Sequence, residues 1–163
     1  MIFIGVDPGL QGAIALISDD DVHIFPMPIN GDRYDLERLC KGYQFGVANL
    51  VVVEQSQPFP GQGVRSCYTI GYGFGLIEMA LVANEARYQT VHPATWKKTM
   101  LAGIRPGDKK AMSIQAAKRL FPGVNLKRTE RSRVDDHNYA EALLIGDYAK
   151  RNYAAARRAS EES

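Results

Sequence analysis

Cysteine is scarce in this chain. Cys40 and Cys67 are the only two in 163 residues, and they stand in no metal-ligand or redox spacing. That excludes a disulfide scaffold, a zinc ribbon and a thioredoxin-like centre. It leaves two reduced thiols near packing surfaces, and a cytoplasmic setting is expected. Histidine is limited to His23, His92 and His137, so no Cys/His set competes for zinc. No uninterrupted apolar run approaches the ~18 residues of a membrane span. No basic segment precedes the first apolar run, which argues against a signal peptide and for no membrane partner. Repeats and low-complexity tracts are absent. Basic residues are few in the first third: residues 1–60 hold three basic and eight acidic side chains, net −5, whereas residues 96–133 hold eleven basic and two acidic, net +9. The formal charge of +2 therefore conceals an acidic part and a basic part able to attract a polyanion.

What is present starts with Ile2-Phe-Ile-Gly-Val-Asp7, an apolar run that ends on one carboxylate. β-Branched and aromatic residues suit a covered, pleated surface, so this reads as a buried strand. Pro8, Gly9 and Gly12 turn the chain, and residues 12–18 return as a second strand. Val22-His-Ile-Phe25 gives a third, joined across Asp19-Asp20-Asp21. Residues 33–42 read as a short helix. Asn49-Leu-Val-Val-Val53 reads as a strand covered on both faces, ending at Glu54. After a loop rich in Gln, Pro and Gly, residues 64–84 form a long helix. Gly71, Gly73 and Gly75 weaken it by roughly 1 kcal/mol each relative to Ala, which calls for the close approach of another backbone. Their spacing is not a dinucleotide fingerprint. Residues 88–91 form a fifth strand, Pro93 opens a helix carrying Trp96, and Pro106 stands at N1 of a helix running to Leu120. Residues 124–134 are a basic loop. The last helix spans 136–151, and residues 154–163 lack a packing pattern and read as a frayed tail. The order β-β-β-α-β-α-β-α-α-α implies one α/β domain, residues 1–153, around a five-stranded mixed sheet: a meander, then parallel strands.

Asp7 and Glu54 meet if the first and fourth strands are adjacent and parallel. A further acidic group opens the last helix, Asp135-Asp-His-Asn-Tyr-Ala-Glu141. Glu141 is followed by Ala-Leu-Leu-Ile, so it lies within an otherwise buried face. His137 stands four residues before it, on the same side of a helix. Asp136, five before it, can join only from a cap position. Asp135 reads as a solvated neighbour. Carboxylates that converge repel unless cations lie between them, and hard oxygen donors suit Mg²⁺ or Mn²⁺. Two such ions are the known means of cleaving a phosphodiester.

These residues together resemble the RuvC-like Holliday junction resolvases, in the bacteriophage branch. Gly5-Val-Asp7-Pro-Gly-Leu-Gln-Gly-Ala13 is similar to the first motif of that family, Val51-Val-Val-Glu54 to the second, and Asp136-His-Asn-Tyr-Ala-Glu-Ala142 to the last. Pro60-Gly-Gln-Gly-Val64 resembles the segment that approaches the junction, and the glycine-bearing helix the one that builds the dimer. Val91-His-Pro-Ala-Thr-Trp-Lys97 and Lys109-Lys-Ala-Met-Ser113 resemble features of the phage branch. The resemblance implies an RNase H-like fold, a homodimer, and paired Mg²⁺-dependent nicks in a four-way DNA junction. Its metal ligands would be Asp7, Glu54, Asp136 and Glu141, holding two ions, with His137 a ligand or base in place of Asp136. The last acids are five residues apart here rather than the usual three or four. Gly61, Gln62, Gly63, Arg65, Lys109, Lys110, Arg128, Arg131 and Arg133 are the DNA-contact candidates. Phe59 or Tyr68 would stack on unpaired bases or pack internally. Trp96 reads as core, and Tyr72 and Phe74 as dimer or core contacts. Two other readings stay open: a broader branched-DNA or RNA–DNA hybrid nuclease, and a junction-binding module without catalysis.

Overall fold

In a computed structural model that describes residues 1–58 and 60–161, the opening apolar run is β1 (Phe3–Asp7), buried along its whole length. Gly9 makes the turn after it with φ 115°, a conformation a side chain would oppose. The chain returns antiparallel as β2 (Ala13–Ile17) and β3 (Val22–Pro26). A small hairpin follows, β4 (Ile29–Asn30) with β5 (Arg33–Tyr34). It occupies the start of the helix expected at residue 33. The Asp35 side chain accepts from the Arg38 amide, and that cap delays α1 to Leu36–Lys41. β6 (Leu50–Glu54) then pairs parallel with β1, Val6 opposite Val53. α2 spans Val64–Ala83, and β7 (Tyr88–Val91) pairs parallel with β6, with Val91 opposite Glu54. The strand order is β3-β2-β1-β6-β7. This is the five-stranded mixed sheet, antiparallel then parallel, that the sequence implies.

Three helices complete the chain: α3 (Pro93–Met100), α4 (Lys109–Leu120) and α5 (His137–Glu161). Pro106 lies outside α4, because Asp108 caps that helix by accepting from the Lys110 and Ala111 amides. α5 continues ten residues past Arg151. Residues 154–161 are helical and exposed. Tyr153 packs edge-on against Phe3, with ring centroids 5.5 Å apart, and Arg157 pairs with Glu161 across one turn.

Alternating side chains divide the core between two faces of the sheet. Phe3, Ala15 and Val52 meet α3, α4 and α5, while Ile4, Val6, Val51 and Val53 meet α1 and α2. α2 is long and apolar enough, by length and composition, to cross a membrane. The expectation that no segment approaches such a span is corrected there. Its Gly73, Ile77, Ala80 and Leu81 are nonetheless buried in the second core, as in a core helix with one uncovered side.

The approach of α5 to β1 depends on two glycines. A Cβ on Gly5 would stand 2.2 Å from both the Ala142 carbonyl oxygen and the Gly146 nitrogen. These are backbone atoms that cannot turn aside. Gly5→Ala is therefore expected to cost ~1–3 kcal/mol, the scale of overpacking a close-packed core. Equilibrium unfolding in urea would read this as a lower midpoint, and an unchanged midpoint would contradict the contact.

Candidate metal centre

Parallel pairing in register places the ends of β1 and β6 side by side, and so Asp7 beside Glu54. The close β1–α5 packing brings Glu141, one turn into α5, over them. One carboxylate oxygen from each of Asp7, Glu54 and Glu141 lies within 4.8 Å of the others. Asp7 is 7% exposed and Glu141 8%, so the three charges share a poorly hydrated space. Burial pushes the Asp7 carboxyl well above its ordinary range, and the neighbouring Glu54 and Glu141 push it further. Burial also raises Glu54, against the pull of Lys97 and a hydrogen bond from Trp96.

Glu54 is held by a side chain on α3, and Glu141 by side chains on α3 and α4. The Trp96 indole donates to Glu54 Oε2 at 2.6 Å. Ser113, fully buried, donates to Glu141 Oε1 at 2.9 Å. Lys97 Nζ donates to Glu141 Oε2 at 3.1 Å and stands 5.0 Å from the Trp96 ring centroid. Lys97, Trp96 as a donor, and Ser113 were all missed by sequence reasoning. A topological signal for the first two existed. β7 ends beside Glu54, and α3 begins two residues later, so the first turn of α3 must face that acid.

The donor set fits a hard divalent cation. It offers three carboxylates, no thiol or imidazole, and raised acids whose mutual repulsion a cation would relieve. Ser113 and Trp96 hold the acids by one oxygen each, and donors that orient a metal ligand in this way are worth ~10–100-fold in metal affinity. Ser113→Ala is accordingly expected to weaken Mn²⁺ binding ~10-fold or more with little loss of helix content. Calorimetric titration checks this, and an unaltered dissociation constant would remove Ser113 from the site.

Asp136 and His137 do not offer an atom within that mutual distance among the described residues. Asp136 precedes α5 and caps it, accepting from the Asn138 amide at 2.8 Å. Its other oxygen accepts from Arg128 Nε at 2.5 Å. Burial works to raise its pKa, but the bonds from Arg128 and the Asn138 amide and the Arg128 charge outweigh it, and the carboxyl ends below its usual range. Asp136 thus bonds to Arg128 and the Asn138 amide in this structure, and its charge also acts on Asp7. The Arg128 guanidinium also donates to the Gln11 carbonyl and lies 5.1 Å from the centroid of Tyr139. His137 is the first residue of α5, half-buried. Asp135 pairs with Lys118.

Of the other candidates, Lys109 and Lys110 are exposed in the first turn of α4, one turn from Ser113. Arg131 and Arg133 are exposed in the loop before α5. Gly61 and Gly63 are exposed and Gln62 half-buried before α2, and Arg65 is exposed in its first turn. Phe59 lies outside the described residues.

No protein-family model matches the chain, and no curated protein matches it. Solved structures do. A structure of Thermus thermophilus RuvC in complex with Holliday junction substrate superposes with a TM-score of 0.64, at 12% identity, over 96% of this chain and 96% of that one. Another structure of Thermus thermophilus RuvC gives a TM-score of 0.59, also at 12% identity over 96% of each chain. The fold is RuvC-like throughout its length.

Proposed function

We propose that this chain is a divalent-metal-dependent endonuclease that resolves four-way DNA junctions as a homodimer, nicking opposing strands. The observation that carries the reading is the triad Asp7–Glu54–Glu141, gathered within 4.8 Å on a RuvC-like sheet. One of the structurally similar proteins was solved in complex with Holliday junction substrate, and that supports the choice of DNA over other phosphodiesters. The placement in the phage branch rests on the residue motifs, and a cytoplasmic setting on the free thiols of Cys40 and Cys67.

Asp7, Glu54 and Glu141 would hold Mg²⁺ or Mn²⁺, which supplies Lewis acidity and an activated water for phosphodiester hydrolysis. The chain's own residues set the stage for that chemistry. Trp96 and Ser113 fix which carboxylate oxygens face the centre. Lys97 brings a positive charge to the edge of the triad, where a phosphate must enter. Lys109, Lys110, Arg131 and Arg133 supply an exposed cationic surface that draws the backbone in without reading sequence. Arg128 steadies the loop and the start of α5 through Asp136. His137 stands at the mouth of α5, in reach of a role as base.

Support for the dimer comes from α2. Val64, Tyr68, Met79 and Val82 are exposed to 86, 70, 63 and 58%. With Gly71 and Gly75, where an added Cβ meets no atom within 4 Å, they form one stripe with steps of four, three, four, four and three residues. That is the repeat of a helix packed on a partner helix, and the two bare glycines permit close approach of backbones.

The test is cleavage of an immobile four-way junction by the purified chain, with and without Mg²⁺, alongside Y-junction and RNA–DNA hybrid substrates, with sedimentation of the protein. Symmetric nicks that require metal, made by a dimer, are expected. Binding without cleavage would leave a junction-binding module, and equal cleavage of all substrates would leave a broader nuclease.

A further inference from the structure

Beside the metal centre stands an ion pair that the triad itself does not use. Arg128 Nε donates to Asp136 Oδ2 at 2.5 Å, and Nη2 of the same guanidinium donates to the Gln11 carbonyl at 2.5 Å. We propose that this pair is an exchangeable latch: a DNA phosphate takes Arg128 from Asp136, and Asp136 is thereby released to a divalent cation held with Asp7, Glu54 and Glu141. The regulation so assigned rests on the nuclease reading above and adds that the substrate completes the centre that cuts it.

The guanidinium stands between the two segments that carry the ligands. Gln11 lies in the turn that follows Asp7, and Asp136 immediately precedes α5, the helix that carries Glu141. One planar fork bonds both, so the Asp136 carboxylate is separated from that turn by no more than a guanidinium and its two hydrogen bonds. At this range its charge already acts on Asp7 and helps to raise that carboxyl. Asp136 nevertheless contributes no oxygen to the group gathered within 4.8 Å. Its two oxygens are engaged elsewhere. Oδ1 accepts from the Asn138 amide at 2.8 Å as a helix cap, and Oδ2 accepts from Arg128. Only the second bond must be given up for Asp136 to offer an oxygen to a cation, because the cap uses the first.

Arg128 is open to a second anion. Its side chain is 25% exposed, and Lys127, Arg131 and Arg133 are exposed on the same loop, where Glu130 is the one acid between residues 124 and 134. A guanidinium makes the same charge-assisted bonds to phosphate as to carboxylate. Among the described residues, Asp136 and Gln11 take two of its five N–H donors, so a phosphate can engage the fork before the carboxylate leaves it. Neither half of the exchange is favourable alone. Without Arg128, Asp136 is a partly covered charge near three other carboxylates. With a cation on Asp136 instead, Arg128 lacks its counter-charge. A phosphate for one and a divalent cation for the other satisfy both, and by linkage each tightens the other by the same factor.

The experiment is a pair of double-mutant cycles on the intact protein, with Arg128→Gln, Asp136→Asn and the two combined. Asn caps a helix as well as Asp does, so Asp136→Asn keeps the bond to the Asn138 amide, and circular dichroism checks the fold of each variant. The first probe is Mn²⁺, titrated by calorimetry without DNA. Asp136→Asn should change the affinity of the parent by less than about twofold but lower that of Arg128→Gln ~10-fold or more. The second probe is an immobile four-way junction, bound without metal over a range of salt. Asp136→Asn should tighten binding about tenfold, the scale of a charge-assisted bond that no longer has to be broken. That gain should vanish when Arg128 is already Gln. Arg128→Gln should also reduce the slope of log affinity against log salt by ~0.9, the share of one phosphate contact. If Arg128→Gln does not fold, Asp136→Asn alone decides, and a junction affinity no higher than that of the parent rejects the latch. It is equally rejected if Asp136→Asn acts alike in both backgrounds or if Arg128→Gln leaves the salt slope unaltered, since the pair is then a fixed bridge. Neither probe requires cleavage. Non-additive variants of a protein that cuts no junction keep the latch and reject the nuclease, whereas metal-dependent cutting with additive variants does the reverse.

Discussion

Asp7→Asn is expected to lower junction cleavage by ~10³-fold or more, the scale of losing one member of a catalytic unit. Junction binding should remain within about twofold, because cationic contacts to phosphate and not the triad supply affinity. The substitution keeps the size of a side chain that is 7% exposed and removes one of three crowded charges. The metal-free variant should therefore unfold at a higher temperature than the parent, where each 1 kcal/mol corresponds to about 2–4 °C in a domain of this size. Added Mg²⁺ should raise the midpoint of the parent and leave that of the variant nearly unmoved. Loss of binding together with cleavage, or a lower metal-free midpoint, would contradict the role given to Asp7.

The same crowding sets a pH dependence. The folded Asp7 and Glu54 carboxyls are raised above their ordinary values, so the folded form holds protons that the unfolded form has released. Their contribution to metal-free stability is then fully present below the unfolded carboxylate pKa of ~4 and is lost as pH rises through the higher folded values. Asp136 works in the opposite direction: its folded pKa is lowered, so its contribution is lost as pH falls. Asp7→Asn should flatten the decline on the neutral side and leave the acid limb in place. Thermal melts from pH 4 to 8 without metal resolve the two limbs.

Lys97→Met carries the second large effect, and its two parts have opposite signs. In the metal-free chain Lys97 is the cation nearest the triad, bonded to Glu141 with both side chains largely covered. Its removal leaves carboxylates without a counter-charge and is expected to destabilise the metal-free protein by ~3 kcal/mol, the lower end for breaking a buried pair. The Glu141 oxygen it holds is also the one not occupied by Ser113, and is thus the oxygen a metal ion must compete for. Mn²⁺ should bind Lys97→Met ~10-fold more tightly, equivalent to ~1.4 kcal/mol, and metal should restore most of the lost stability. Weaker Mn²⁺ binding by the variant would show that the amine assists the ion instead of standing in its place.

The strand order and the triad could be read before any coordinates because they follow from local rules. An apolar run that ends on an acid is a strand presenting that acid at its end, and two such runs in parallel bring the acids together. Glu141 stood out as a charge in a run of Ala, Leu and Ile. What could not be read depended on choices between partners. Asp136 bonds to Arg128, eight residues earlier, and to the Asn138 amide, and spacing alone does not reveal those partners. Lys97 and Ser113 were invisible for a related reason, since their meeting with Glu141 requires α3, α4 and α5 to be packed on one face of the sheet. The extension of α5 past Arg151 was not legible because Tyr153, which packs on Phe3, lies 150 residues from its partner.

The three carboxylates come from the beginning, the first third and the last sixth of the polypeptide. A ribosome that has translated only the first 140 codons has made both strand ligands and most of the cationic surface, but no complete cutting centre. On the proposed reading such a chain carries basic residues without the third acid of the cluster, and the centre is complete only once synthesis has passed Glu141 and α5 has docked on β1.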